Sequence, residues 1–123
     1  MRIVTAFLAA SLPATAFAWP VQAAGTLDVS AGLSATATLD LELRRNQTLT
    51  ATIELFGLTQ TVNGTWSRDP RGIMITVPNI VTIYGAPQNG CITGQNTQPT
   101  PAFAIPLGAT RTMDVIWDIC VVP

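Results

Sequence analysis

Apolar residues recur at every second position over much of this chain. Leu33, Ala35, Ala37, Leu39, Leu41 and Leu43 alternate with Ser34, Thr36, Thr38, Asp40 and Glu42. A period of two over this length is a strand with one face buried, because successive side chains point to opposite sides of a sheet. Arg44-Arg45-Asn46-Gln47 interrupts the pattern, and Leu49, Ala51, Ile53 and Leu55 resume it against Thr48, Thr50, Thr52 and Glu54. The two segments form a long hairpin. Matching apolar faces sets its register, with Leu43 opposite Leu49, Leu41 opposite Ala51 and Leu39 opposite Ile53, since a slip of one residue would set Leu against Thr.

The apolar parity flips at Phe56-Gly57-Leu58, which predicts a bulge or bend where the strand passes into another sheet. Asn63-Gly64 carries the type I′ signal and predicts a hairpin between 59–62 and 65–68. Asp69-Pro70-Arg71-Gly72 suits a type I turn. Two β-branched runs, 73–77 and 80–84, are split by Pro78, which suits an edge or a break. The segment from Gly85 to Pro101 is rich in Gly, Pro, Asn, Gln and Thr without apolar period, and predicts a long loop. Met113, Val115, Trp117, Ile119 and Val121 restore the alternation. No segment combines a 3.6-residue apolar period with helix caps. The expected fold is all-β: a single small Greek-key β-sandwich or small barrel of about seven strands.

The N-terminus has the form of a secretory signal peptide. Arg2 supplies the charge, residues 3–12 the apolar region, and Pro13 and small residues follow. Cleavage is expected after Ala23, with Ala18 as the alternative, leaving a single β domain over 24–123. Export places Cys91 and Cys120 in an oxidising compartment, where such a pair forms a bridge. The closed loop of about 30 residues is worth roughly 3.6 kcal/mol on the chain-entropy account. Their spacing is not the C-x-x-C of a redox pair.

Composition removes several chemistries. The 123 residues include no His and no Lys, and removal of the leader with Arg2 leaves five Arg against seven acids, a net charge of −2. A chain of this charge has no basic field for nucleic acid. Neither the commonest general base nor the commonest metal ligand is present. Ser30, Ser34 and Ser67 have no His or Lys to activate them. Asp40 and Glu42 share a strand face with Glu54 diagonal to Asp40, and Asp114 and Asp118 share another, which reads as solvated charge rather than a catalytic or calcium site. Trp66, Trp117, Phe56, Phe103 and Tyr84 suit core packing, with a ligand pocket as the alternative. Asn46-Gln47-Thr48 and Asn63-Gly64-Thr65 match the glycosylation pattern but read as turn chemistry. No cofactor or metal is expected.

Charged residues make up 11% of the chain, under half the usual share, which favours association over colloidal solubility. Exported, charge-poor β-domains with one disulfide broadly resemble surface-assembly subunits. The expected function is a non-enzymatic structural or interaction protein of the periplasm, envelope or cell surface. It would associate with itself or a protein partner through strand edges and the 85–101 loop. Gln88, Asn89, Gln95, Asn96 and Gln98 are the candidate partner-binding residues. A secreted binding module or inhibitor that uses this tethered loop, or an aromatic pocket, is the alternative. A membrane-inserting β-hairpin over 33–55, closed only in an oligomer, ranks third. An integral helical membrane protein is not expected.

Overall fold

A computed structural model describes residues 19–55 and 57–123. Residues 1–18, which include the charged and apolar segments of the expected leader, and Phe56 lie outside the described residues. Eight antiparallel strands form one sheet: β1 (Val21–Ser30), β2 (Ser34–Leu43), β3 (Thr48–Leu55), β4 (Leu58–Asp69), β5 (Gly72–Val77), β6 (Val81–Gly85), β7 (Cys91–Pro99) and β8 (Thr112–Val121). Their order across the sheet is β6-β5-β4-β3-β2-β1-β8-β7, a meander in place of Greek-key crossings. Of the two architectures the pattern allows, the sheet adopts the barrel: it curls until β6 approaches β7 and is nearly closed. Antiparallel order puts the turns at 44–47, 70–71 and 86–90 at the end where β1 begins. The connections at 31–33, 78–80 and 100–111 lie at the far end. There a 3-10 helix, Ala102–Leu107, buries Ala104 and packs Phe103 against the core.

Alternation drives the curl. One face of each strand must leave water, and with few helices to cover it the sheet covers itself. Leu39, Leu41, Leu49, Ala51, Ile53, Val115, Trp117 and Ile119 are all at most 3% exposed. The β2–β3 register is the expected one, with Leu39 opposite Ile53, Leu41 opposite Ala51 and Leu43 opposite Leu49. Asp69 pairs with Gly72 around Pro70-Arg71. The Asp69 carboxylate accepts from the backbone N–H groups of Arg71 and Gly72 at 2.8 and 2.9 Å. Pro78 breaks β5 from β6, and Asn79 takes the left-handed conformation that turn needs (φ 64). At the Arg44–Gln47 turn, the Asn46 side chain accepts from Thr48 N and Oγ1 at 3.2 and 2.6 Å, so this acceptor pattern does serve the turn.

Three expectations change. The chain does not pass into a second sheet after β3. Leu55 pairs with Leu58, and the chain reverses at Gly57 (φ 75) to form a hairpin. Nor do Asn63 and Gly64 turn. They lie in mid-β4, opposite Thr50 and Leu49. Gly64 is required there for another reason: a Cβ would stand 2.3 Å from the Thr76 carbonyl oxygen, so only glycine lets β5 approach. Finally, most of the expected 85–101 loop is the strand β7.

Leu41→Ala should destabilise the folded protein by about 2 to 5 kcal/mol in urea titration, because its side chain is surrounded by core and the space cannot refill. A loss below about 1 kcal/mol would mean that the barrel interior is not packed as described.

Candidate functional site

The segment with most of the candidate binding residues closes the barrel. β7 pairs with β8 from Cys91↔Cys120 to Pro99↔Thr112. It has no backbone ladder to β6 on its other side among the described residues. An edge strand needs only one apolar face, and here even that is partial. Of its inward positions, Ile92 is buried, Gly94 leaves room for the Trp117 ring, and Asn96 and Gln98 are polar. A Cβ at Gly94 would lie 2.6 Å from that ring. The missing apolar period that suggested a loop thus has a packing cause.

Gln98 acts at the seam. Its amide oxygen accepts from Thr82 N–H at 2.8 Å, and its amide nitrogen donates to the Thr82 carbonyl at 2.6 Å. The second amide hydrogen reaches Asn96 Oδ1 at 2.8 Å. A side-chain amide has the same donor and acceptor pair as a peptide group, so Gln98 makes the bonds that a ladder would make here. At the opposite end of β7 the Cys91–Cys120 disulfide (S–S 2.03 Å) ties the strand to β8. β7 is therefore held covalently at one end and by an amide clasp at the other.

The five candidate residues fall in three places rather than one. Gln88 closes the β6–β7 turn through its backbone, its N–H donating to the Cys91 carbonyl at 2.8 Å and its carbonyl accepting from the Cys91 N–H at 3.0 Å. Asn89 is exposed at the tip of that turn with φ 55. Gln95, on the outer face, and Asn96, at an inward but exposed position, border an open groove of about 980 Å³ along β2, β1, β8 and β7. Gln98 belongs to the seam.

The groove's other polar lining includes Asp28, Asp114, Ser30, Ser34, Thr36 and Thr97, and Ile116 contributes an apolar patch that is 52% exposed. Thr36 donates to Asp28 at 3.0 Å and Thr97 to Asp114 at 2.6 Å. This arrangement repeats over the whole outer face. Asp28, Asp40, Glu42, Glu54, Asp114 and Asp118 each stand opposite at least one Thr or Ser, and none stands opposite another acid. Like charges are kept apart without Lys between them. Thr48, Thr65, Thr76 and Thr82 continue the hydroxyl surface as a row across β3 to β6. Arg44 joins it, donating to Thr48 and Thr50 and lying 4.0 Å from Glu42.

The aromatic residues do not converge. Trp117 is in the core, Phe103 packs under the 3-10 helix, and Tyr84 is 39% exposed on β6. Trp66 is half-buried, stacks on Trp19 at 5.7 Å, and donates from Nε1 to the Arg44 carbonyl at 2.9 Å. Trp19 in this role had no sequence signal, since it sits beside an expected cleavage site and outside any alternation. The cluster of metal-type ligands formed by Cys91, Cys120 and Asp118 offers no thiolate, because both sulfurs are in the disulfide. No helix among the described residues is long and apolar enough to cross a membrane. Compared with protein families, curated proteins and solved structures, the chain matches none.

Gln98→Ala should lower stability by about 1 to 3 kcal/mol, since it leaves Thr82 N–H and C=O without their partner. Gln95→Ser, on the exposed face, should change it by less than about 0.5 kcal/mol. Equal effects in chemical denaturation would show that the clasp does not hold the seam.

Proposed function

We propose that this chain is an exported, non-enzymatic structural or interaction protein of the cell envelope or surface, and that it associates through exposed strand edges. The observation that carries the reading is a barrel with a filled interior and incomplete pairing of its strands. Among the described residues the interior positions are buried and apolar, which favours recognition at the surface. Unpaired strand edges offer backbone donors and acceptors to another strand. The disulfide is compatible with an oxidising, exported setting. The hydroxyl-rich, charge-poor outer face carries few charges to oppose contact between copies. It also speaks against the lipid-inserting hairpin, because Leu39, Leu41, Ala51 and Ile53 face the barrel interior while Thr, Asp and Glu face outward.

The second reading, a monomeric binding module, draws on the groove beside Gln95 and Asn96. Its carboxylates, amides and hydroxyls around Ile116 would suit a polar partner. Sedimentation separates the two readings, since a subunit grows with concentration and a binding module stays monomeric.

The same proposal places leader cleavage after Ala18. A cut after Ala23 would remove Val21, Gln22 and Ala23 from their pairing with Leu43, Glu42 and Leu41. It would also remove the Val122 N–H to Gln22 carbonyl bond at 2.7 Å and the Trp19 ring stacked on Trp66. Mass spectrometry of the exported protein should therefore find Trp19 at the N-terminus, and Ala24 there would contradict this. Sedimentation of that mature protein should show reversible growth with concentration, without detergent. A monomer at all concentrations would remove self-association and leave the groove-based reading.

A further inference from the structure

β4 is longer than its partner on one side. It pairs with β3 from Leu58↔Leu55 to Thr65↔Thr48. On its other side β5 pairs only with Thr65 to Asp69, because β5 ends at Val77, before Pro78. The stretch Leu58-Thr59-Gln60-Thr61-Val62-Asn63 therefore has a ladder on one side alone. Its side chains are also largely outside the barrel core, with Val62 packing against it in part. None of the six is buried, and Leu58, at an inward position opposite Leu55, is 44% exposed.

Proteins protect open edges with charge, proline, a bulge, shortness or a cover. The other two edges of this sheet have such protection. β6 has five residues, and Gln98 occupies the N–H and C=O of Thr82. β7 carries Gly94 and Pro99 and is tied to β8 at Cys91. The β4 stretch has no charge, no Pro and no Gly, and among the described residues no strand pairs over it. Six uncharged residues with Thr and Val among them are the composition that pairs most readily with another strand.

We infer that Leu58–Asn63 is a dimerisation edge, and that its occupant is the same segment of a second copy, antiparallel across a two-fold axis. This rests on the self-association proposed above and names its surface. A two-fold axis normal to the sheet keeps each side chain on its own face, so opposed residues must share a face. In the register centred on Gln60, Gln60 faces its own copy, Thr59 faces Thr61 and Leu58 faces Val62. Each pair off the axis occurs twice by symmetry, as an isologous contact requires. No charged side chain meets a like charge across the axis, which makes the segment compatible with its own copy. Its neutrality also gives it no charge by which to select a different chain. Pairing would join two barrels through β3-β4-β4-β3 and satisfy the open backbone groups of both copies.

The test uses the mature, disulfide-bonded protein. Thr59→Lys/Thr61→Lys adds two cations to an exposed strand face, so the melting temperature of dilute protein should hold. Sedimentation should show dimerisation weakened about tenfold or more. Mixing Thr59→Cys with Thr61→Cys protein under mild oxidation should give a cross-linked dimer of one copy of each in higher yield than either variant alone. A dimer that survives the lysine substitutions, or no preference for the mixed cross-link, would overturn the edge assignment and leave self-association through another surface. A wild-type protein that never dimerises would overturn both.

Discussion

A sheet with one apolar face has to hide that face, and in this protein the sheet hides it from itself. Curling a meander of eight strands brings its first and last members together around a packed interior. The rest of the structure depends on how well those members meet. β6 has five residues and β7 has nine, so a full ladder between them has little length to form. The Gln98 amide bridges the mismatch at Thr82, while the Cys91–Cys120 disulfide removes freedom from the other end of β7. Closure at this seam rests on the Gln98–Thr82 bonds rather than on a continuous row, with the disulfide steadying β7 against β8.

The unusual composition follows from the same architecture. A barrel that is packed inside has an outer face made of every second residue of eight strands. Most proteins fill such a face with mixed charge. Here acids alternate with Thr and Ser across the strands, so carboxylates avoid one another without Lys between them. β-branched Thr also packs well on a pleated surface. The result is a surface that is polar yet weakly charged, and a weakly charged surface does little to oppose contact between copies.

The proposed function puts recognition on the outside of the molecule. Among the described residues, buried apolar side chains pack the interior, and the groove along β2, β1, β8 and β7 is open to solvent. The surfaces with unsatisfied pairing capacity are strand edges, and these differ in protection. The seam edges are short, clasped or interrupted, whereas the far half of β4 extends past β5 with its backbone open. The proposed pairing through that half would leave the barrel largely undisturbed, because none of its side chains from Leu58 to Asn63 is fully buried and Val62 alone among them packs in part against the core.

Much of the fold was legible in the chain. The unbroken alternation of 33–43 and 49–55 determined both strands and their register, because a period of two leaves a single way to match apolar faces. The Asp69–Gly72 turn and the break at Pro78 were equally readable, since Pro and Asp restrict the backbone locally. Tertiary structure decided what local pattern could not carry. Asn63-Gly64 has the dipeptide of a turn, but a glycine is equally what a strand needs where β5 passes within reach of its Cβ position. β7 lacks an apolar period because an edge strand has one neighbour and, at Gly94, yields its inner space to Trp117. Among the candidate residues, Gln98 reads like its neighbours Gln95 and Asn96 in sequence. It becomes the clasp only because curling brings Thr82 beside it, sixteen residues back along the chain. The choice of barrel over sandwich was also tertiary: alternation requires that one face be buried and does not say against what.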